Sequence, residues 1–431
     1  MSFLVNHCVG SLGSMRPLQA PLRAFARFLS VDPNDCSFPG AKTRYTDSLE
    51  FAETKETIPT YRVLDHSGSI VNKSYDDSQI PKEDAIQLHK NMLMLNTLDI
   101  ILLNAQRQGR VPFHMTHYGE EATVVGSAYP LKADDEIFAQ YREVGVLLQR
   151  GMTLEQIMAT QFGTKEDTGK GRQMPMHFGS KKLGFHMISS PLATQMPHAS
   201  GAGYALRLSG KKNVVVCYFG DGAASEGDFH ASLNMAATRG AQTLFFCRNN
   251  GFAISTPTSE QFKGDGIASR GFGYGIPSIR VDGNDMLAVI EVTKKARDLT
   301  IERKGPVLIE AMSYRRGHHS TSDDSSLYRS KEEIEFWEKE KNPIKRFEQY
   351  LIGKGWWTEA ESESFSKEVR SKTLQLVSKA ELEEKPHLSE LFKDVYDEIP
   401  PNLRVQQKEL VEHLKIHGDR YPSNVPWDGM E

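Results

Sequence analysis

Three observations predict an α/β fold built on a mostly parallel sheet. Two runs, Asn213-Val214-Val215-Val216-Cys217-Tyr218-Phe219 and Thr243-Leu244-Phe245-Phe246-Cys247, are apolar almost throughout, as strands covered on both faces must be. Between them, residues 223–239 carry Phe229, Leu233, Met235 and Ala236 among small residues, which suits a crossover helix. From 119 to 310, strand-like and helix-like segments alternate, the pattern of parallel strands joined by helices lying on the two sheet faces.

Taken in order, residues 1–31 contain Arg16, Arg23 and Arg27, and the first acid is Asp32. With serines, Leu22, Phe25 and Phe28, this weakly amphipathic basic segment reads as a mitochondrial targeting peptide, a plain basic tail being the alternative. Residues 32–80, rich in Pro, Asp, Ser and Thr, read as an extended arm in which 59–64 and 68–71 form a short hairpin. A helix starts near Pro81, keeps Leu88, Met92, Leu95 and Leu102 on one face, and ends at Gly109. There follow a strand at 136–140, helices at 153–162 and 191–208, the two strands above, a strand at 278–281, a helix at 286–303 and a strand at 306–311. Residues 81–330 thus make one α/β domain. Residues 331–431 are helical and highly charged, with Phe336, Trp337, Phe347 and Leu351 marking faces that pack. Trp356 and Trp357 suit core or interface better than a ligand box.

The 431 residues suffice for a full core, and a net charge of −4 argues against nucleic acid as a main partner. Cysteines at 8, 36, 217 and 247 have neither metal-binding spacing nor the density of a disulfide scaffold, so a reducing compartment is favoured. No apolar run reaches the roughly 18 residues that span a bilayer.

The stretch from Gly220 to Phe252 carries the chemistry. Gly220-Asp221-Gly222 follows the first strand, Asn249-Asn250-Gly251-Phe252 ends the second, and 26 residues separate Gly222 from Asn249. Glycines flanking an acid let the backbone turn sharply and approach a ligand. If the strands are neighbours, Asp221 and Asn250 meet at the carboxyl edge of the sheet, where ligands bind in such folds. Their oxygens suit Mg²⁺, and diphosphate oxygens can complete its octahedron. Arg142 and Arg248 offer rigid forks for phosphate. The segment 314–330 holds two histidines and many hydroxyls. Adjacent His318 and His319 point apart, so zinc is disfavoured and a loop over a phosphate fits better.

The Gly-Asp-Gly and Asn-Asn pair resembles the cofactor motif of thiamine diphosphate-dependent enzymes. Longer segments, Gln140-Tyr141-Arg142-Glu143, 189–195, 219–228 and 314–324, resemble the α subunits of the E1 components of mitochondrial branched-chain 2-oxo acid dehydrogenases, over residues 38–425. The resemblance implies a thiamine diphosphate-binding fold in which Asp221, Asn250 and the backbone carbonyl at Phe252 hold Mg²⁺. Tyrosine is common at that last position. It implies cofactor contacts from Tyr141, Arg142, Ser190, Leu192, Gly222, Arg248 and His319, with His319 also catalytic. It implies a structural K⁺ at Ser189, Pro191, Thr194 and Gln195, where the residues alone suggest only a helix cap. It further implies an inhibitory phosphorylation site at Ser320, a weaker one at Ser330, and a regulatory kinase and phosphatase.

The acid that activates the cofactor, and a second histidine, are implied to come from a β subunit, in an α₂β₂ heterotetramer of the mitochondrial matrix. The implied reaction is decarboxylation of branched-chain 2-oxo acids and acylation of the lipoyl group on an E2 core, without nucleic acid or membrane partners. The alternatives are a pyruvate dehydrogenase E1 α subunit, whose loop generally reads Gly-His-Ser-Met-Ser-Asp, and a non-catalytic scaffold that keeps the fold.

Overall fold

A computed structural model describes residues 46–49, 51 and 57–430. The expected targeting peptide, and the arm up to residue 45, lie outside the described residues. Met1–Glu56 and Thr57–Glu431 form two separate units. In the first, Thr46 Oγ1 accepts the Ser48 amide at 3.1 Å. All else concerns the second.

Its elements run β1 (Thr60–Tyr61), α1 (Lys82–Arg107), α2 (Glu121–Ala128), β2 (Glu136–Phe138), α3 (Val144–Gln149), α4 (Leu154–Phe162), α5 (Gln195–Ser209), β3 (Val215–Gly220), α6 (Gly227–Arg239), β4 (Thr243–Asn249), β5 (Phe252–Ala253) and β6 (Thr256–Pro257). Then come the one-turn helices α7 (Thr258–Gln261) and α8 (Arg270–Gly273), β7 (Ser278–Asp282), α9 (Met286–Arg303), β8 (Val307–Met312), α10 (Lys331–Lys339), α11 (Pro343–Gly353), α12 (Glu359–Leu382) and α13 (Pro401–His417). Six strands form one sheet in the order β1-β7-β8-β4-β3-β2, every pairing parallel.

The two long apolar runs are its centre. Along β3, Val216 and Tyr218 enter a core shared with α1, α2, α3 and α9, while Val215, Cys217 and Phe219 enter a second core with α5 and α6. This alternation is why both faces of the run had to be apolar. Cys217 and Cys247 lie in the second core as small buried groups, their thiols pushed up by burial.

Three expectations are corrected. The hairpin at 59–64 and 68–71 reduces to one antiparallel bridge, Leu64 to Ile70, because Thr60–Tyr61 pairs instead with β7 as the sixth strand. The helix expected from 191 starts at Gln195, because Ala193 sits at φ +64°, which no right-handed helix admits. The helix expected from 223 breaks at Glu226, ψ 151°, into a short turn (Gly222–Ser225) and α6. Helices α2 and α3 went unforeseen. Eight and six residues show too little periodicity, and α2 is buried on every side.

Helices α11 and α12 close the first core. Trp357 is buried there, its ring edge-on to His89 at 5.8 Å and its indole N–H donating to Ser362 Oγ at 2.8 Å. Among the described residues no helix is long and apolar enough to cross a membrane.

Candidate active site

Gly220 lies in register with Arg248 on the neighbouring strand, so Asp221 and Asn250 leave the carboxyl edge of the sheet side by side. Asp221 is buried and takes a hydrogen bond from Gln261 Nε2 at 3.1 Å. Burial raises its carboxyl above the ordinary range, outweighing that bond and the nearby backbone N–H groups. A buried carboxylate with no cation against it among the described residues is a poor resting state. Among the described residues, no three His, Cys, Asp or Glu side chains converge as a metal cage. One carboxylate plus amide and main-chain oxygens is instead the donor set of a hard cation that keeps other oxygen ligands, so the residues fit Mg²⁺ bound with a diphosphate.

The two halves of the motif touch. Phe252–Ala253 forms a two-stranded ribbon with Thr256–Pro257, which fixes the main chain at Phe252. Ala253 lies against Gly222. A Cβ at Gly222 would come within 2.9 Å of the Ala253 Cβ, so the glycine is what lets the Gly220–Gly222 turn and the Phe252 strand approach. Asn250 Nδ2 donates to Glu120 Oε1 at 2.5 Å, and Asn250 Oδ1 accepts the Phe252 amide at 3.2 Å.

The arginines stand nearby, each already engaged. Arg248 is buried between two carboxylates, with Nη1 on Glu120 at 2.5 Å and Nε on Glu143 at 2.7 Å; neither bond uses Nη2. Arg142 donates Nη1 to the Thr116 carbonyl at 2.5 Å and Nη2 to the His319 carbonyl. The His319 ring faces two guanidinium groups, its Nδ1 lying 3.3 Å from Arg142 Nη2 and 3.2 Å from Arg315 Nη1. Guanidinium nitrogens only donate, so Nδ1 accepts and the proton of the neutral ring sits on Nε2. Burial, then Arg142, then Arg315, lowers the His319 pKa to about 3, and the ring is neutral at physiological pH. Tyr141 stands edge-on to His319 at 6.2 Å.

The 189–195 turn is the third part. Thr194 Oγ1 donates to the Pro191 carbonyl at 3.0 Å. Gln195 Nε2 donates to the Tyr218 carbonyl at 2.9 Å, while its Oε1 is buried without a partner. That orphaned oxygen, in a segment where Ala193 takes a left-handed conformation, fits an oxygen-ligated cation such as K⁺. Ser189 is exposed, Ser190 Oγ contacts His177 Nε2, and Leu192 packs on the second core.

The 314–330 loop is held at several points. Asp323 accepts the His319 amide at 2.6 Å and the Tyr328 hydroxyl at 2.6 Å, and Arg315 Nη2 reaches the Ile254 carbonyl at 2.7 Å. Ser320 follows His319, with its hydroxyl 3.4 Å from that of Ser322. Ser330 is exposed and caps α10, its side chain accepting the Glu333 amide at 3.1 Å.

Sequence reasoning missed Glu120, Glu143, Gln261 and Arg315. Glu143 stands inside a quoted motif and Arg315 inside the loop, so chain position was the available signal for both. A lone Glu120 before a short helix carried none.

Residues 89–389 match the model of the family described as dehydrogenase E1 component. The chain is 52% identical over 404 residues to the mitochondrial 2-oxoisovalerate dehydrogenase subunit alpha of Homo sapiens, covering 93% of this chain and 90% of that one. It is 50% identical over 425 residues to the protein of the same name from Dictyostelium discoideum, covering 98% and 93%. It is 48% identical over 391 residues to mitochondrial 2-oxoisovalerate dehydrogenase subunit alpha 2 of Arabidopsis thaliana, covering 90% and 83%.

Proposed function

The chain belongs to the dehydrogenase E1 component family, and from that premise we propose that it performs the α-subunit work of a branched-chain 2-oxo acid dehydrogenase in the mitochondrial matrix. It decarboxylates 2-oxo acids such as 2-oxoisovalerate together with a β subunit, and passes the acyl group to a lipoyl-bearing E2. The observation that carries this is 52% identity sustained over 93% of the chain with a 2-oxoisovalerate dehydrogenase subunit alpha.

Thiamine diphosphate, when bound, supplies the electron sink that makes loss of CO₂ from a 2-oxo acid feasible. The chain's own part is binding and orientation. Asp221, Asn250 and the Phe252 carbonyl would hold Mg²⁺, whose charge would offset that of the diphosphate. Tyr141, Arg142, Gly222, Arg248 and His319 line the phosphate end. Ser190 and Leu192 would position the aminopyrimidine end, and Ser189, Pro191, Thr194 and Gln195 would hold K⁺. His319, neutral with Nε2 protonated, offers a hydrogen-bond donor where negative charge develops on the substrate oxygen. A phosphate on Ser320 would set about two negative charges beside His319 and the cofactor diphosphate, repelling it and loosening the loop. Ser330, capping a helix at the far end of the loop, has less leverage. A kinase and phosphatase acting on Ser320, and an α₂β₂ assembly, complete the reading.

The test is co-expression with the cognate β chain and a decarboxylation assay on 2-oxoisovalerate and pyruvate with Mg²⁺ and thiamine diphosphate. Activity on the branched acid that needs both chains is expected. Preference for pyruvate, or full activity of this chain alone, overturns the reading.

A further inference from the structure

We infer that Glu120 is a positioning residue that sets which atom of the Asn250 amide faces the metal, and so tunes Mg²⁺-dependent cofactor binding. The inference rests on Asn250 presenting its side-chain oxygen to Mg²⁺. Glu120 is buried at the start of α2, where its amide donates to the His117 carbonyl at 2.9 Å and pins the backbone. Its two oxygens are divided. Oε2 takes Arg248 Nη1 at 2.5 Å and Oε1 takes Asn250 Nδ2 at 2.5 Å. With each oxygen accepting an N–H donor, the Glu120 carboxyl offers Asn250 an acceptor and no donor. Only the NH₂ of Asn250 can therefore turn toward Glu120, and Oδ1 is left on the opposite side of the amide, where it also accepts the Phe252 amide at 3.2 Å. An amide nitrogen has no lone pair to offer a hard cation, so a flipped Asn250 would remove one ligand. The same carboxylate holds Arg248, which links the metal side of the site to its phosphate side through one buried group.

The test is an isosteric exchange. In Glu120→Gln, two donors compete for one oxygen. The charge-assisted bond to Arg248 takes it, the introduced NH₂ faces Asn250, and the Asn250 amide turns its oxygen away from the metal, giving up the 3.2 Å bond it accepts from the Phe252 amide. In Glu120→Gln/Asn250→Asp, the introduced NH₂ meets a carboxylate that is the same either way round and still offers oxygen to Mg²⁺. Mg²⁺-dependent thiamine diphosphate binding to the assembled αβ enzyme is measured by calorimetry, with thermal melts alongside. Glu120→Gln is expected to lose about tenfold or more in affinity, with Asn250→Asp in the double variant returning it to within about threefold of the parent. Unchanged affinity in Glu120→Gln overturns the inference. So does a double variant no better than Glu120→Gln, since a purely structural role predicts no rescue. Asp221→Ala is run in parallel. If it also leaves binding unchanged, the metal-site reading itself fails, which separates that failure from the failure of the Glu120 inference.

Discussion

Asp221→Ala should separate binding from folding, with opposite signs. In the parent, Asp221 is buried, with Gln261 as the side chain that hydrogen-bonds to its carboxylate. Removing one partner of a buried charge pair costs about 2–5 kcal/mol. Taking about 3–4 kcal/mol for the anionic Mg²⁺ ligand, at 1.4 kcal/mol per tenfold, thiamine diphosphate affinity should fall by two to three orders of magnitude. Folding responds differently. Burial raises the Asp221 carboxyl above 3.8, so its contribution to the metal-free fold is full below about pH 3.8 and is lost as pH rises through the raised folded value. At neutral pH the metal-free variant should therefore melt at or above the parent, and the difference should close in acid. Gln261 is not orphaned, because its Nε2 also reaches the Thr256 carbonyl at 3.3 Å. Calorimetric titration of the assembled enzyme gives the affinity, and melts with and without Mg²⁺ and cofactor give the stability. Unchanged affinity would refute the site. A metal-free variant several degrees less stable than the parent would refute the account of Asp221 as an unfavourably buried charge.

Three further outcomes follow from the same geometry. Arg142→Gln should raise the His319 pKa from about 3, because it removes the cation that, after burial, most depresses it. The neutral ring's contribution to stability, present above 6.5 and lost as pH falls toward 3 in the parent, should then act over a narrower window; histidine-labelled NMR titration reads the shift, and an unmoved pKa counts against the cause named here. Gly222→Ala should push back Ala253 and the Phe252 strand, since its Cβ would lie 2.9 Å from that of Ala253. We expect Mg²⁺ affinity to drop about tenfold with little loss of melting temperature; a variant that binds Mg²⁺ like the parent would show that the approach is not needed. Ser320→Glu should depress decarboxylation and expose residues 314–330 to proteolysis more than Ser330→Glu does, while Ser320→Ala keeps substantial activity. A more damaging Ser330→Glu would reverse the proposed order.

The sheet was legible because its central strands are buried on both faces, and that leaves continuous apolar runs such as 214–219 and 243–247. Where a strand is an edge, the signal fades. Thr60–Tyr61 pairs on one side only and looked like half of a local hairpin, since nothing in a two-residue strand announces a partner at Arg280 and Val281. The start of α5 was misplaced for a similar reason. Small residues and a proline permit a helix, but Ala193 takes a left-handed conformation, φ +64°, that those residue types do not announce.

From the sequence alone came the α/β class, the spacing that sets Asp221 beside Asn250, and the long segments that mark the family. These depend on residues adjacent in the chain or on neighbouring strands. The tertiary structure alone decided what those residues touch. Glu120 reaches Arg248 across 128 positions and Asn250 across 130, and Glu143 reaches Arg248 across 105. No local pattern encodes such a meeting. The Glu120 and Glu143 carboxylates are buried where Arg248, from a distant strand, reaches both, and that convergence exists only once the chain is folded.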